Sequence, residues 1–180
     1  MVTKFFLIFF LCLQKNTPVS KTETIQSFYT AFQQGDAEKM VAFYHPEVIF
    51  SDPVFDRLSG GQAMDMWRML LEKGKGNLRV TFSDIHEVEG TVTARWEAVY
   101  PFSQTGRVVT NKVKASFSFR EEKIILHVDD FSFHKWASMA LGLPGTLFGW
   151  TSFLKNTVRS KSLRMLERYS RKKTTYEQKT

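Results

Sequence analysis

The stretch of sequence from residue 28 to residue 53 decides the fold. It reads FYTAFQQGD (28–36), MVAFYHP (40–46) and VIFSDP (48–53). Apolar side chains recur at Ile25, Phe28, Tyr29 and Phe32. Because residues three and four apart share one face of a helix, this spacing predicts an amphipathic helix over residues 22–34. Gly35 suits the left-handed position that commonly ends a helix.

A second helix and a short strand are predicted next. Asp36 can cap a helix over residues 37–44, which Pro46 ends. Residues 47–50 form a short strand that breaks at the Asp-Pro pair of residues 52–53. The order is therefore helix, helix and strand, with an acid at the end of the strand.

The rest of the chain predicts one more helix and four long strands. The helix covers residues 62–73, and the strands cover residues 78–88, 92–102, 107–119 and 123–134. Helices followed by consecutive strands favour an α+β domain with an antiparallel sheet. The expected parts are an apolar N-terminal segment (1–20), this domain (21–136), a C-terminal helical extension (137–173) and a disordered tail (174–180). The extension is expected to hold one or two helices, with a weak point at residues 161–162.

Composition favours one domain whose aromatic residues either fill the core or wall a cavity. Of the 180 residues, 43% are hydrophobic, and 17 are Phe and 4 are Trp. Cys12 is the only cysteine, which excludes an internal disulfide and a Cys-based metal site. The histidines show no metal-binding spacing, and no phosphate-binding Gly-rich loop is present. We therefore expect neither a metal nor another cofactor.

The positive charge is concentrated in the C-terminal extension. Its basic residues are Lys155, Arg159, Lys161, Arg164, Arg168, Arg171, Lys172 and Lys173, against one acid, Glu167. The remainder of the chain is close to neutral, so nucleic-acid binding by the domain is not expected. Two interpretations of the basic segment remain: a helix that packs on the domain with its charges in water, or a helix that contacts a membrane surface.

The N-terminal segment allows three interpretations. Residues 5–13 are apolar and follow Lys4, which resembles a short signal sequence, but no good cleavage site follows. They are too few to span a bilayer, which needs about 20 residues. A weak secretion signal, a membrane-associating stub and translated sequence upstream of the true start all fit. We expect a cytoplasmic protein, or an exported one if residues 1–20 are a genuine signal.

Successive side chains of a strand point to opposite faces of the sheet, so alternate positions share a face. A few polar side chains in the predicted strands share a face with apolar ones. On the third long strand Asn111 lies on the apolar face. On the fourth long strand His127 and Asp129 lie on the same face as Ile125. Asp52 joins this set if the strand break directs it inward. These polar side chains are the candidates for a functional site, because polar groups on an apolar face are costly unless they are paired.

A carboxyl group beside apolar walls has a raised pKa, which suits it to move protons near neutral pH. The candidate catalytic residues are therefore Asp52 as a base, and His127 with Asp129 as a second acid–base group and its orienting partner. Two simpler interpretations remain. Asp52 can start a turn by accepting hydrogen bonds from its own backbone, and His127 and Asp129 can form a purely structural pair.

The ordered set of helix, Gly-Asp, helix, strand and Asp-Pro resembles the NTF2-like superfamily. This cone-shaped fold is shared by nuclear transport factor 2, ketosteroid isomerases and SnoaL-type polyketide cyclases. The resemblance covers residues 21–135 and places Asp52 at the position of the isomerases' general base. The pocket that we expect inside the cone is lined by Phe28, Trp67, Trp96, Asn111, Ala115, Phe117 and Phe131.

The sequence departs from the isomerase pattern at the two donors that hold the substrate oxyanion. Phe28 occupies the position of a Tyr, and Ala115 that of an Asp. Because losing such donors costs several kcal/mol in the transition state, steroid isomerisation is not expected. The polyketide cyclases instead use an acid on the last strand, where Asp129 lies.

The predicted function is binding of a small, largely apolar molecule in the cone. Its enzymatic form is metal-independent acid–base catalysis of the isomerase, cyclase, dehydratase or hydrolase type. The alternative is a non-catalytic module that dimerises, or binds a protein, through the outer face of the sheet. A homodimer through the sheet is the expected assembly. An open cone with Phe and Trp walls favours the first function, and a filled cone favours the second.

Overall fold

The computed structural model describes residues 19–177, with side chains described as far as residue 173. Its helices are α1 (Lys21–Gln34), α2 (Ala37–Val41), α3 (Gly61–Gly74), α4 (Phe133–Leu141), α5 (Leu143–Phe148) and α6 (Ser152–Glu177). Its strands are β1 (Tyr44–Ser51), β2 (Leu58–Ser59), β3 (Arg79–Val88), β4 (Thr91–Pro101), β5 (Val108–Arg120) and β6 (Lys123–Asp130). The predicted N-terminal segment, residues 1–20, lies outside the described residues except for its last two.

The six strands form one sheet in the order β2-β1-β6-β5-β4-β3. The predicted α+β architecture, with helices ahead of a long sheet, is confirmed. All neighbouring strands are antiparallel except β1 and β6, which are parallel. The antiparallel sheet predicted from the four long strands is confirmed, and the parallel pairing is confined to β1 and β6. Strand β1 lies beside the last strand of the chain, and the long crossover between them permits parallel pairing.

Helix α1 has the predicted extent and end signals. Ser20 and Glu23 form a capping box, in which each side chain accepts a hydrogen bond from the other's backbone N–H. Gly35 follows the helix with φ of 70°, a conformation that is strained for other residues. The predicted apolar stripe is fully buried; it consists of Ile25, Phe28, Tyr29 and Phe32. The helix packs on β3 and β4 through this stripe.

Two predicted boundaries are wrong. The second helix ends at Val41 rather than Tyr44. The carbonyl of Phe43, just before β1, already accepts a hydrogen bond from Ile124 N of β6 at 2.9 Å. Pro46 lies within β1 rather than at the end of a helix. The pairing of β1 with β6 shifts register between Tyr44 and Ile49, because proline has no N–H to donate to the neighbouring strand.

The last strand ends at Asp130 and does not reach residue 134. Ser132 accepts a hydrogen bond from Lys135 N and caps α4, so residues 133–134 are helical.

The C-terminal extension contains three helices, and its longest helix shows no break at residues 161–162. Helix α6 runs from Ser152 to Glu177, beyond the predicted start of a disordered tail at residue 174. It packs against α3, and Leu166 is buried there. None of the helices within residues 19–177 combines the length and apolar character needed to cross a bilayer.

Candidate functional site

A cavity of about 500 Å³ lies between the concave face of the sheet, α3 and α6. Its walls are largely aromatic, with contributions from Phe50, Trp67, Trp96, Tyr100, Phe131 and Trp136. Asp52 and Asp129 line the same cavity, and Asp129 is buried. The cone is therefore open and aromatic-walled, with two carboxyl groups among its lining residues.

A chain of hydrogen bonds runs behind Asp129. Trp67 Nε1 lies 2.7 Å from the Tyr44 hydroxyl, which lies 2.7 Å from His127 Nδ1. His127 Nε2 lies 3.0 Å from Asp129 Oδ1. Trp96 Nε1 donates to the same oxygen at 3.1 Å. The four partners come from β1, α3, β4 and β6, so the fold itself assembles this network.

The donors and acceptors that each side chain carries determine which atom donates in each of these hydrogen bonds. The indole of Trp67 can only donate, so the Tyr44 oxygen accepts from it and the Tyr44 O–H donates to His127 Nδ1. With Nδ1 as the acceptor, His127 carries a proton on Nε2, and this N–H donates to Asp129 Oδ1. His127, at the end of this chain, and Trp96, from β4, thus supply two N–H donors to one Asp129 oxygen.

His127 does not contact the cavity. Its side chain is completely buried, and it is stacked on Trp67 with ring centroids 5.9 Å apart and packed against Phe117 at 4.2 Å. The two members of the predicted pair therefore lie at different depths. Asp129 faces the cavity, and His127 lies behind it and orients it.

Asp52 combines a turn with a place in the cavity wall. Its Oδ1 accepts hydrogen bonds from Val54 N at 2.7 Å and from Phe55 N, and its own N–H donates to Phe55 O at 2.8 Å. The turn interpretation of the Asp-Pro pair thus holds, and the same carboxyl lines the cavity. The two interpretations are compatible, because the turn uses only one carboxylate oxygen.

Burial raises the pKa of Asp52 from 3.8 to about 7. The hydrogen bond from Phe55 opposes this rise, the nearby charge of Asp129 adds to it, and the bond from Val54 and the charge of Arg159 oppose it. Asp52 is consequently near the midpoint of its titration at neutral pH. Such a group can both take up and release a proton in one reaction cycle.

The second oxygen of each carboxyl group is left for a ligand. Among the described side chains, hydrogen bonds reach Oδ1 of Asp52 and Oδ1 of Asp129, and none reaches either Oδ2. Each carboxyl is therefore fixed through one oxygen and can interact with a ligand through the other.

Tyr100 is a site residue that the sequence reasoning placed on the apolar wall but did not select. Its hydroxyl accepts a hydrogen bond from Trp136 Nε1 at 2.9 Å and lines the cavity. Burial raises its pKa, and the charge of Asp52 raises it further, so the hydroxyl keeps its proton. Tyr100 lies on the same face of β4 as Trp96 and Ala98, and this alternation in the sequence could have identified it as a site residue.

Four of the seven predicted pocket residues line the cavity, namely Trp67, Trp96, Asn111 and Phe131. The other three, Phe28, Ala115 and Phe117, do not. Phe28 and Phe117 are fully buried around His127, with ring centroids 5.7 and 4.2 Å from its imidazole. Ala115 pairs with Asp129 in the neighbouring strand and is buried.

The predicted facing of Ile125 with His127 is also wrong. Phe119 pairs with Ile124, and Ser118 pairs with Leu126, so Ile125 is an extra residue in β6. This bulge reverses the parity ahead of His127, and Ile124 is the residue buried in the core.

Helix α6 closes one side of the cavity. Leu154, Val158 and Met165 line the cavity. Arg159 ties the helix to the turn after Asp52, since its Nε donates to Val54 O at 3.1 Å and its guanidinium lies 3.8 Å from Asp56. Within residues 19–177, no group of three or more His, Cys, Asp or Glu side chains is placed to hold a metal ion.

Comparison with solved structures shows the same fold at low sequence identity. TerC crystallised with polyporic acid is 18% identical and covers 68% of this chain and 100% of its own, with a TM-score of 0.59. A Catenulispora acidiphila protein with a ketosteroid isomerase-like fold, in complex with trimethylamine, is 15% identical, with 72% and 97% covered and a TM-score of 0.58. A Mycobacterium tuberculosis LEH-like epoxide hydrolase is 19% identical, with 71% and 94% covered and a TM-score of 0.53.

Sequence comparison identifies the family. No curated protein matches the sequence significantly. The model of the SnoaL-like domain matches residues 25–127, more than half of the chain, and this span includes most of α1, all of α2 and α3, and most of the sheet. The chain therefore belongs to the SnoaL-like domain family and has the NTF2-like fold.

Proposed function

We propose that the cone binds a small, largely apolar molecule and catalyses proton transfer on it with the carboxyl groups of Asp52 and Asp129. The observation that carries this proposal is that both carboxyls line one aromatic-walled cavity of about 500 Å³, each with one oxygen fixed by protein donors. A cavity of this size and lining is typical of small-molecule sites.

Each residue then has a distinct role. Asp52 is the general base and, once protonated, the general acid, since its pKa of about 7 allows both forms near neutral pH. Asp129 is the second substrate-contacting carboxyl, and His127 is its positioning residue. Tyr100, whose hydroxyl oxygen accepts a hydrogen bond from Trp136, donates its O–H to the developing negative charge of the substrate.

The structural relatives support this class of reaction without selecting one substrate. They include an LEH-like epoxide hydrolase and TerC co-crystallised with polyporic acid. For this chain the proposal covers isomerase, cyclase, dehydratase and epoxide-opening hydrolase chemistry, all of which need a positioned acid and base.

The non-catalytic alternative remains a second candidate for the outer face of the sheet. This face carries ion pairs between neighbouring strands, Arg95 with Asp84 at 3.6 Å and Lys112 with Glu97 at 3.5 Å. A homodimer through this face stays a prediction, and analytical ultracentrifugation of the full chain tests it. The open cone favours ligand binding as the primary function.

Proton transfer can be tested by deuterium incorporation. The full-length protein is incubated in D₂O with a panel of cyclic and aromatic ketones that bear acidic C–H groups, and exchange is followed by NMR. The wild-type protein is expected to accelerate exchange in at least one ketone. Asp52→Asn should reduce that acceleration by about 10²- to 10⁴-fold, the usual contribution of a general base.

Asp56→Asn is the matched control, because Asp56 lies four residues from Asp52 but is 81% exposed in its side chain. It should leave exchange nearly unchanged. If Asp52→Asn binds the ketones as the wild type does and neither protein exchanges any of them, the cone is a binding site without catalysis, and the enzymatic proposal is wrong.

A further inference from the structure

A cluster of exposed apolar side chains protrudes where α5 meets α6. This cluster, the α5 patch, consists of Leu143, Leu147, Phe148, Trp150 and Phe153, which are 76%, 59%, 55%, 75% and 80% exposed. It holds five of the ten large apolar side chains exposed in the described part of the chain, and all of the aromatic ones. Isolated exposed apolar residues are ordinary, but a contiguous patch marks an interaction surface.

The α5 patch is built on a rigid support. Helix α5 packs directly against α4, and a Cβ on Gly145 would lie 1.8 Å from Ala137 O. A Cβ on Gly149 would likewise lie 2.3 Å from Gly145 O. His134 Nε2 binds Thr146 O at 3.1 Å. The backbone contacts on the inner side of α5 leave its large apolar side chains to point outward.

The outer face of α6 continues the patch with positive charge. Arg164 and Arg168 are 11 and 15 residues after Phe153, which places all three on the same side of a helix with 3.6 residues per turn. Both arginines are exposed, and neither has an ion-pair partner among the described side chains. Lys161 is exposed beside them. An apolar patch and a basic stripe therefore form one surface.

We propose that this surface docks on an anionic phospholipid bilayer, with Trp150 and Phe153 at the level of the head groups and Arg164 and Arg168 against the lipid charge. Indole and phenyl rings beside basic residues match the two layers of such an interface. A second copy of the chain would bring the same basic stripes together, and like charges repel. Charge complementarity therefore favours the lipid surface over self-association.

The position of the surface links it to the cavity. Leu154, Thr157 and Val158 line the cavity from the same turns of α6 that follow Phe153. A docked protein would hold this side of the cone at the membrane, where apolar molecules accumulate. This route for the ligand rests on the proposed function, whereas the docking itself does not depend on catalysis.

Vesicle co-sedimentation tests the docking with the full-length protein. The vesicles are pure phosphatidylcholine or an equimolar mixture with phosphatidylserine. We expect binding to the mixed vesicles that weakens with added salt, and little binding to phosphatidylcholine. Trp150 also reports docking by its fluorescence. It is the exposed tryptophan of the described residues, since Trp67 and Trp136 are buried and Trp96 is half-buried. Its fluorescence should shift to the blue on the mixed vesicles.

Two double variants separate the apolar and charged contributions. Trp150→Ser with Phe153→Ser should abolish vesicle binding. Arg164→Gln with Arg168→Gln should weaken it roughly 30-fold, since each basic residue near an anionic leaflet contributes about fivefold.

The matched controls alter equally exposed residues elsewhere. Val88→Ser with Val108→Ser changes side chains that are 62% and 65% exposed, and Arg95→Gln with Lys112→Gln removes two charges from the sheet. Both controls should bind as the wild type does.

Three results would overturn the docking. The first is no binding to mixed vesicles at low salt, and the second is binding that Trp150→Ser with Phe153→Ser leaves unchanged. The third is a dimer in analytical ultracentrifugation that this double variant dissociates, without vesicle binding, which would assign the α5 patch to a second copy. Deuterium exchange by protein free of vesicles reports the catalytic proposal separately.

Discussion

His127 Nε2 and Asp129 Oδ1 lie 3.0 Å apart on alternate positions of one strand, yet only Asp129 reaches the cavity. The two side chains share a face of β6, but α1 and β5 cover His127 with Phe28 and Phe117. Asp129 lies farther along the strand, where the cone opens. The histidine therefore acts through the carboxylate and has no direct access to a ligand in the cavity.

The raised pKa of Asp52 predicts a specific dependence of stability on pH. Between its ordinary value of 3.8 and about 7, the folded protein binds a proton at Asp52 that the unfolded chain has lost. The contribution of this group to the free energy of unfolding is therefore greatest below pH 3.8 and falls as the pH rises to about 7. The loss is at most about 4 kcal/mol, and less because water reaches part of the carboxyl.

Asp52→Asn should remove this penalty, since the neutral amide keeps the hydrogen bonds from the turn. Thermal melts from pH 4 to pH 9 are expected to show the variant melting above the wild type at high pH and near it at low pH. Asp56→Asn serves as the exposed control. An Asp52→Asn difference that is constant across the pH range would contradict the raised pKa.

Two buried tyrosines give a matched pair for the hydrogen-bond chain. Tyr44 bonds both Trp67 and His127, whereas the buried Tyr29 hydroxyl has no hydrogen-bond partner within the described part of the chain. Tyr44→Phe leaves two buried polar atoms without partners, each at a cost of about 1–3 kcal/mol. Tyr29→Phe removes an unsatisfied hydroxyl and should be neutral or stabilising. Urea denaturation measures both, and equal losses in the two variants would disprove the directed chain.

Steroid isomerisation should be absent. The two residues at the oxyanion-donor positions cannot donate, and the structure adds that Phe28 is fully buried and that neither Phe28 nor Ala115 lines the cavity. Purified protein incubated with a β,γ-unsaturated steroid ketone should show no conjugated product above the rate without protein, as followed by ultraviolet absorbance. Turnover that Asp52→Asn abolishes would show that the single donor proposed for this cavity, Tyr100, is enough to replace the missing pair.

The close contact of α5 with α4 predicts a strong effect of one methyl group. Gly145→Ala would place its Cβ 1.8 Å from Ala137 O, so the helices must separate. The expected loss of stability is about 1–3 kcal/mol, the usual range for overpacking. Gly61→Ala adds a methyl group with nothing within 4 Å and should be nearly neutral. Thermal melts compare the two, and equal melting temperatures would rule out the close contact.

Sequence patterns predicted the elements whose apolar residues repeat regularly, and missed those set by distant partners. The stripe of α1 and the alternation of β4 and β5 correspond to buried faces. The end of β6 was misplaced because the Ser132 cap overrides an apolar alternation that continues past it. Ile125 was assigned to the wrong face of β6, because the bulge at this residue depends on the register with the neighbouring strand.

The candidate site divides in the same way. Asp52 and Asp129 were selected from local parity and from resemblance, and both line the cavity. Tyr44 was missed, because its role depends on Trp67 and His127, which are 23 and 83 residues away along the chain. No local pattern reports a contact over that distance.

By itself, the sequence determined the fold class, the order of the first three helices and the long strands, the acid at the end of the first strand and the concentration of charge near the C-terminus. These features follow from side-chain periodicity and capping, which act within a few residues. The tertiary structure alone decided that Asp129 rather than His127 faces the cavity, that α6 closes one side of it and that Trp150 and Phe153 remain exposed. The physical reason is that the burial of a side chain depends on which surfaces pack together. Strand register, bulges and helix packing determine those contacts between distant parts of the chain.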